Sequence, residues 1–161
     1  MKTLIAYASK TGTTEKCAKL LSEQFNGADL FDLQSGNPDL NNYDVVVIGG
    51  SIRAGMLHKT AKKYVKANIE LLKTKKIAFF VCSADVTRAN DFLKANIPAD
   101  LLARSFYGDS FGGEIDLTKQ KGLFKFIVKK MTEAGAKKGT PLPNILPENI
   151  KKFADKINSL S

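Results

Sequence analysis

Three apolar runs constrain this chain most: residues 4–8, 45–48 and 77–81. Each is continuous rather than alternating, the pattern of a strand covered on both faces. Segments of helical spacing lie between them. Over residues 13–25, Cys17, Leu20, Leu21 and Phe25 share one side. After the second run, Leu57, Ala61, Tyr64, Val65, Ile69 and Leu72 mark another apolar stripe, with Lys59, Lys62, Lys63 and Lys66 largely off it. Strands alternating with helices predict a doubly wound α/β fold, a parallel sheet with helices on both faces.

Five strands are expected: residues 2–8, 28–33, 44–50 (stopping at Gly49 and Gly50), 76–83, and an interrupted or bulged one within 104–115. Residues 91–102 read as helix broken at Pro98. Residues 119–133 read as helix with Leu123, Phe124, Ile127, Val128 and Met131 inward. The closing helix, 148–160, is expected to bury Ile150, Phe153, Ala154, Ile157 and Leu160, and residues 34–43 and 135–147 read as loops. A length of 161 residues suits one domain over 1–161.

The turn after the first strand is rich in hydroxyls: Ser9, Lys10, Thr11, Gly12, Thr13 and Thr14. It runs into a helix N-terminus, whose first N–H groups have no intrahelical partner and lie at the positive end of the helix dipole. Hydroxyls, free N–H groups and a glycine that admits close approach make a socket for a phosphate. A Ser/Thr-rich helix cap is the plainer alternative. The loop lacks the Gly-Lys-Ser/Thr ending of nucleotide-triphosphatase loops and the glycine spacing of dinucleotide turns.

In a sheet of this kind ligands bind outside the carboxyl ends of the strands, at the switch point. Two further loops are expected on that rim: Ser51, Ile52, Arg53, Ala54, Gly55 and Met56, and Ser83, Ala84, Asp85 and Val86 with the residues up to Ala89. His58 is the single histidine and is expected to face solvent at a helix start. Cys17 and Cys82 read as buried residues and form no disulfide framework or metal motif. No catalytic triad, metal cluster or paired catalytic carboxylates emerge.

The formal charge of +9 is mostly lysine and favours anionic partners, or else is a solvated surface. Nucleic acid is not expected, because aromatics do not interleave with the basic clusters. No apolar run nears the roughly 20 residues that span a bilayer. The chain starts directly into a strand, without a leader pattern, so a cytoplasmic place is expected, extended to the inner membrane face if the lysines meet lipid.

The sequence Ser9-x-Thr11-Gly12-x-Thr14 after the first strand resembles the FMN-phosphate loop of flavodoxins. That resemblance implies a five-stranded sheet in the order 2-1-3-4-5 and FMN as cofactor, its ring lying between the second and third loops. Gly55 would let the backbone turn toward the flavin N5, unless it is a plain turn glycine. Asp85 would disfavour a reduced, anionic flavin, unless it caps a helix. Gly50 to Gly55, followed by Leu57 and His58, is similar to the second loop of the menaquinone-dependent protoporphyrinogen dehydrogenase family. The stretch Phe111, Gly112, Gly113, Glu114 and Ile115, leading into residues 123–131, also looks like that family.

This second resemblance implies an oxidoreductase that takes a porphyrinogen-like substrate and passes electrons to a quinone. Two departures stand beside it. Residues 85–104 are shorter than the family's insertion, and neither the second nor the third loop carries an aromatic residue to stack on flavin. Ile52, Met56 or Val86 is left for that place, and FMN is expected to bind more weakly than in a typical flavodoxin. A flavodoxin-type electron carrier serving a redox partner protein is the alternative function. A flavin-free binding module with a basic docking surface is another. A phosphorylated receiver domain is excluded, since Ser9 and Ser51 stand where it needs acids.

Overall fold

A computed structural model describes residues 1–114, 122–137, 139 and 143–160. The strands are β1 (Thr3–Ala8), β2 (Asp29–Asp32), β3 (Val45–Arg53), β4 (Met56–Leu57), β5 (Lys76–Cys82) and β6 (Tyr107–Ser110). The helices are α1 (Thr13–Ser22), α2 (Lys59–Ala67), α3 (Ile69–Leu72), α4 (Ala89–Asn96), α5 (Ala99–Arg104), α6 (Gly122–Lys137) and α7 (Pro147–Asn158). The sheet order is β2-β1-β3-β5-β6, all pairs parallel, with β4 folded back on β3 as a short antiparallel arm. Apart from that arm, this is the expected order of five strands.

Successive residues of each central strand point to opposite faces. Leu4, Ala6, Val46, Ile48, Phe79 and Val81 join one core with Ala61, Tyr64, Val65, Leu72, Leu93 and Leu101. Ile5, Tyr7, Val45, Val47, Ala78 and Phe80 join the other with Cys17, Ala18, Leu21, Phe111 and Phe153. Thus α1 and α7 cover one face and α2 to α5 the other. The continuous apolar runs are continuous because both faces are buried.

The largest departure from expectation is at Gly49 and Gly50. The strand does not stop there but runs on to Arg53 and turns back through Ala54 and Gly55. The glycines serve side chains from neighbouring elements. A Cβ on Gly49 would lie 1.9 Å from the Phe80 ring, and one on Gly50 would lie 2.6 Å from the Leu57 side chain. The Ala54–Gly55 turn has φ of 50° and 75°, the left-handed pair of a type I′ hairpin.

Other boundaries move less. The first helix ends at Ser22 rather than 25, and α6 runs to Lys137, into the expected loop. A short 3₁₀ turn, Leu40–Asn42, sits inside the loop at 34–43. Leu160 lies past the end of α7 and is half-buried. Ile115, Lys119 and the side chains of Leu123, Phe124, Val128 and Met131 lie outside the described residues. Ile127, expected inward, is 44% exposed.

Candidate functional site

A cleft of about 600 Å³ opens on the rim where β1, β3 and β5 end. That volume is within the ordinary range for small-molecule sites. Three loops build it, as the topology of an open parallel sheet requires. From the first come Ser9, Lys10, Thr11, Thr13 and Thr14; from the hairpin, Ser51, Ile52, Arg53, Ala54 and Gly55; from the third, Ser83, Ala84 and Asp85. Gly12 and Val86 stand outside the lining. Gly12 is instead the left-handed N-cap of α1, with φ of 96°, and Val86 begins a 3₁₀ turn.

The first loop is shaped from within. Ser9 Oγ accepts the Gly12 N–H at 3.0 Å, which folds the chain back toward α1. No side chain caps α1, so its first N–H groups face the socket without a side-chain partner. Thr14 is fully buried, and its Oγ1 makes no hydrogen bond. A buried hydroxyl without a partner is costly, and at a helix N-terminus it fits an oxygen of a bound anion. Uncapped N–H groups, the hydroxyls and the Lys10 ammonium suit a phosphate monoester.

The far side of the cleft carries residues that the loop patterns did not single out for the site. Cys82 and Gly113 line it, with Arg88 and Phe92 from the α4 side and Ile127 from α6. Phe92 brings an aromatic side chain to a lining whose loops carry none, and Ile127 an aliphatic one. The Arg88 guanidinium lies 5.1 Å from the Phe92 ring centre and pairs with Asp91 at 3.4 Å. Glu114 lines the cleft and is tied to Lys16 of α1 at 3.1 Å. Phe92 lies on α4 and is buried, so in the sequence it has the pattern of a core residue and not of a site residue.

Asp85 lines the cleft, and its carboxylate accepts the Thr87 N–H at 3.1 Å and the Thr87 hydroxyl at 2.7 Å. It therefore caps the short turn Val86–Arg88. His58 does not face solvent as expected. It is half-buried, and its Nδ1 accepts the Thr60 N–H at 3.2 Å, capping α2. Burial first, then the charges of Lys10 and Arg53, hold its imidazole below the usual value, with Asp32 acting in the opposite sense.

Cys82 sits on the cleft floor beside Cys17, both buried. The neighbouring Cys17 thiol and burial push the Cys82 thiol well above its usual range; the Thr14 hydroxyl acts weakly in the opposite sense from outside hydrogen-bonding geometry. A thiol so raised stays protonated and is a poor nucleophile.

The molecule is thus an open α/β protein with a cleft at its switch point, lined by the hydroxyl-rich loop at the start of α1 on one side and by apolar side chains on the other. Residues 4–141 match the flavodoxin domain family, and the chain belongs to that family. It is similar to an uncharacterised protein of Methanocaldococcus jannaschii, 36% identical over 86 residues, covering 52% of this chain and 55% of that one. It is also similar to protoporphyrinogen IX dehydrogenase [quinone] of Escherichia coli K12, 34% identical over 85 residues, covering 50% of this chain and 47% of that one. The chain spans about half the length of the curated relatives it matches. Among solved structures it resembles oxidised flavodoxin 1 of Bacillus cereus, with a TM-score of 0.55 at 16% identity over 99% of this chain and 98% of that one. That last likeness is one of fold.

Proposed function

We propose that this protein, as one unit over residues 1–161, binds FMN in the cleft and acts as a redox flavoprotein. The observation that carries this reading is the buried, unpartnered Thr14 hydroxyl beside the uncapped start of α1. In this reading Ser9, Lys10, Thr11, Thr13 and Thr14 hold the phosphate, and Gly12 shapes the loop as the left-handed N-cap of α1. Ser51, Ile52, Arg53, Ala54 and Gly55 form one wall of the ring slot, and Ser83, Ala84 and Asp85 form the other, with Val86 just beyond it. Phe92 and Ile127 add apolar surface against the ring. When bound, FMN supplies hydride and single-electron transfer. The residues around it bind, orient and exclude water, and Lys10 offsets phosphate charge.

The reaction we infer is oxidation of a porphyrinogen-like substrate with a quinone as acceptor, as the name of the Escherichia coli relative suggests. Surface chemistry supports an anionic, partly apolar partner. Met56 beside the hairpin turn is 54% exposed, and Phe126 beside Ile127 is 56% exposed. Lys59, Lys63 and Lys66 are exposed on α2, which carries no acid. An anionic membrane surface, reached from the cytoplasmic side, fits that mixture. The second reading, an electron carrier for a partner protein, is favoured by the shortness of the segment after β5, where one 3₁₀ turn leads straight into α4.

Titrating FMN into apoprotein tests the cofactor: quenching of flavin fluorescence at micromolar protein is expected, and its absence sinks the proposal. Turnover then separates the two readings. Porphyrinogen loss with quinone at a rate above autoxidation supports the enzyme; no excess rate leaves the carrier.

A further inference from the structure

The hairpin wall of the cleft is not held by packing at its turn. A Cβ on Gly55 would have no atom within 4 Å, and Ala54 and Met56 are exposed. Both turn residues also occupy the left-handed region, which favours glycine over alanine. At the turn itself, something other than apolar packing must hold the chain in place.

Asn96, the last residue of α4, does so. It is 5% exposed, and its amide is engaged at both ends. Oδ1 accepts the Leu57 N–H at 3.0 Å, and Nδ2 donates to the Gly55 carbonyl at 2.9 Å. Nδ2 also donates to the Phe92 carbonyl at 2.9 Å, one turn back on α4. The Lys62 ammonium approaches Oδ1 at 3.5 Å. β3 pairs with β4 on one side through Ile52–Leu57 and Arg53–Met56. On the other side the Asn96 amide offers the donor and acceptor that a neighbouring strand would have offered.

We propose that Asn96 is the positioning residue of the cleft: it sets the hairpin wall at residues 51–57 relative to Phe92 and so tunes the bound flavin. This rests on the FMN reading above. Its two carbonyl contacts join a hairpin residue and an α4 residue that both line the cleft, Gly55 and Phe92. It also engages one lone pair of the Gly55 carbonyl, on a residue that borders the slot. A freed carbonyl would favour the reduced ring, which carries the additional N–H, and so would raise the reduction potential.

The test uses the full chain with Asn96→Leu and, should that fail to fold, Asn96→Ser; both are neutral. Three quantities are read: FMN dissociation constant, reduction potential of bound flavin, and hydrogen exchange of the Leu57 amide in apoprotein. Folded variants are expected to bind FMN about tenfold more weakly, to have a raised potential, and to lose protection at Leu57. Unchanged affinity and potential overturn the proposal, whatever happens at Leu57, because Asn96 is then only structural. If the parent protein itself takes no FMN, the cofactor reading falls separately. Leu57 exchange then decides whether Asn96 holds the hairpin.

Discussion

Thr14 stands on the first turn of α1 with a buried hydroxyl that nothing accepts from or donates to. Leaving such a group unpaired costs about 1–3 kcal/mol. Thr14→Val keeps the shape and removes the hydroxyl. It is expected to stabilise the apoprotein by about 1 kcal/mol in urea unfolding while weakening FMN binding roughly tenfold. A loss of apoprotein stability would mean that the hydroxyl has a structural role instead.

His58 yields a pH dependence. Its imidazole is held below the ordinary value by burial and by Lys10 and Arg53. The unfolded chain therefore takes up a proton before the folded one does, and stability rises with pH across that window. The contribution is complete above the unfolded value near 6.5. It is lost as pH falls through the lower folded value, when protonated Nδ1 can no longer accept from Thr60 N–H. His58→Ser, another N-capping residue, is expected to flatten the pH dependence of urea unfolding below neutrality. An unchanged profile would contradict this assignment.

At the scale of elements, the hairpin 51–57 was the least legible part. Its turn is Ala54–Gly55, not the Asn-Gly or Asp-Gly pair that announces a type I′ turn. Gly49 and Gly50 read as a strand end because a local pattern cannot reveal that Phe80 and Leu57 fill the space above them. The long apolar strands and the helical stripes were legible, since burial on two faces leaves a mark along the chain itself. So was the hydroxyl loop, a local device. Phe92 and Asn96 were not, because their roles come from tertiary neighbours: the cleft for one, the hairpin for the other.

Two substitutions test these elements. Gly49→Ala drives a Cβ into the Phe80 ring, which stacks on Phe111 at 4.5 Å, and is expected to cost about 3 kcal/mol by urea unfolding. Ala54→Gly removes the left-handed penalty on alanine and is expected to stabilise by about 1 kcal/mol. A neutral Gly49→Ala would mean that the ring moves freely; a destabilising Ala54→Gly would mean that the turn is held by its methyl group.

On the scale of the whole molecule, the parallel sheet brings three sequence-distant loops to one rim. α1 aims its uncapped end there, and α4 contributes Phe92 and, through Asn96, a fixed hairpin. Among the described residues no helix is long and apolar enough to cross a membrane. The formal net charge is +9. Binding to anionic partners is expected to weaken steeply with salt, as screening shortens the reach of exposed lysines. Co-sedimentation with anionic and neutral lipid vesicles at low and high salt checks this, and equal binding to both vesicle types would contradict it.

The measurement that bears most directly on this account is the visible absorption spectrum of the purified protein, before and after incubation with FMN and desalting, run beside Thr14→Val. The account predicts flavin bands that stay with the parent protein after desalting and are diminished in the variant. A parent protein that stays colourless after exposure to FMN would contradict it and leave the socket to some other anion.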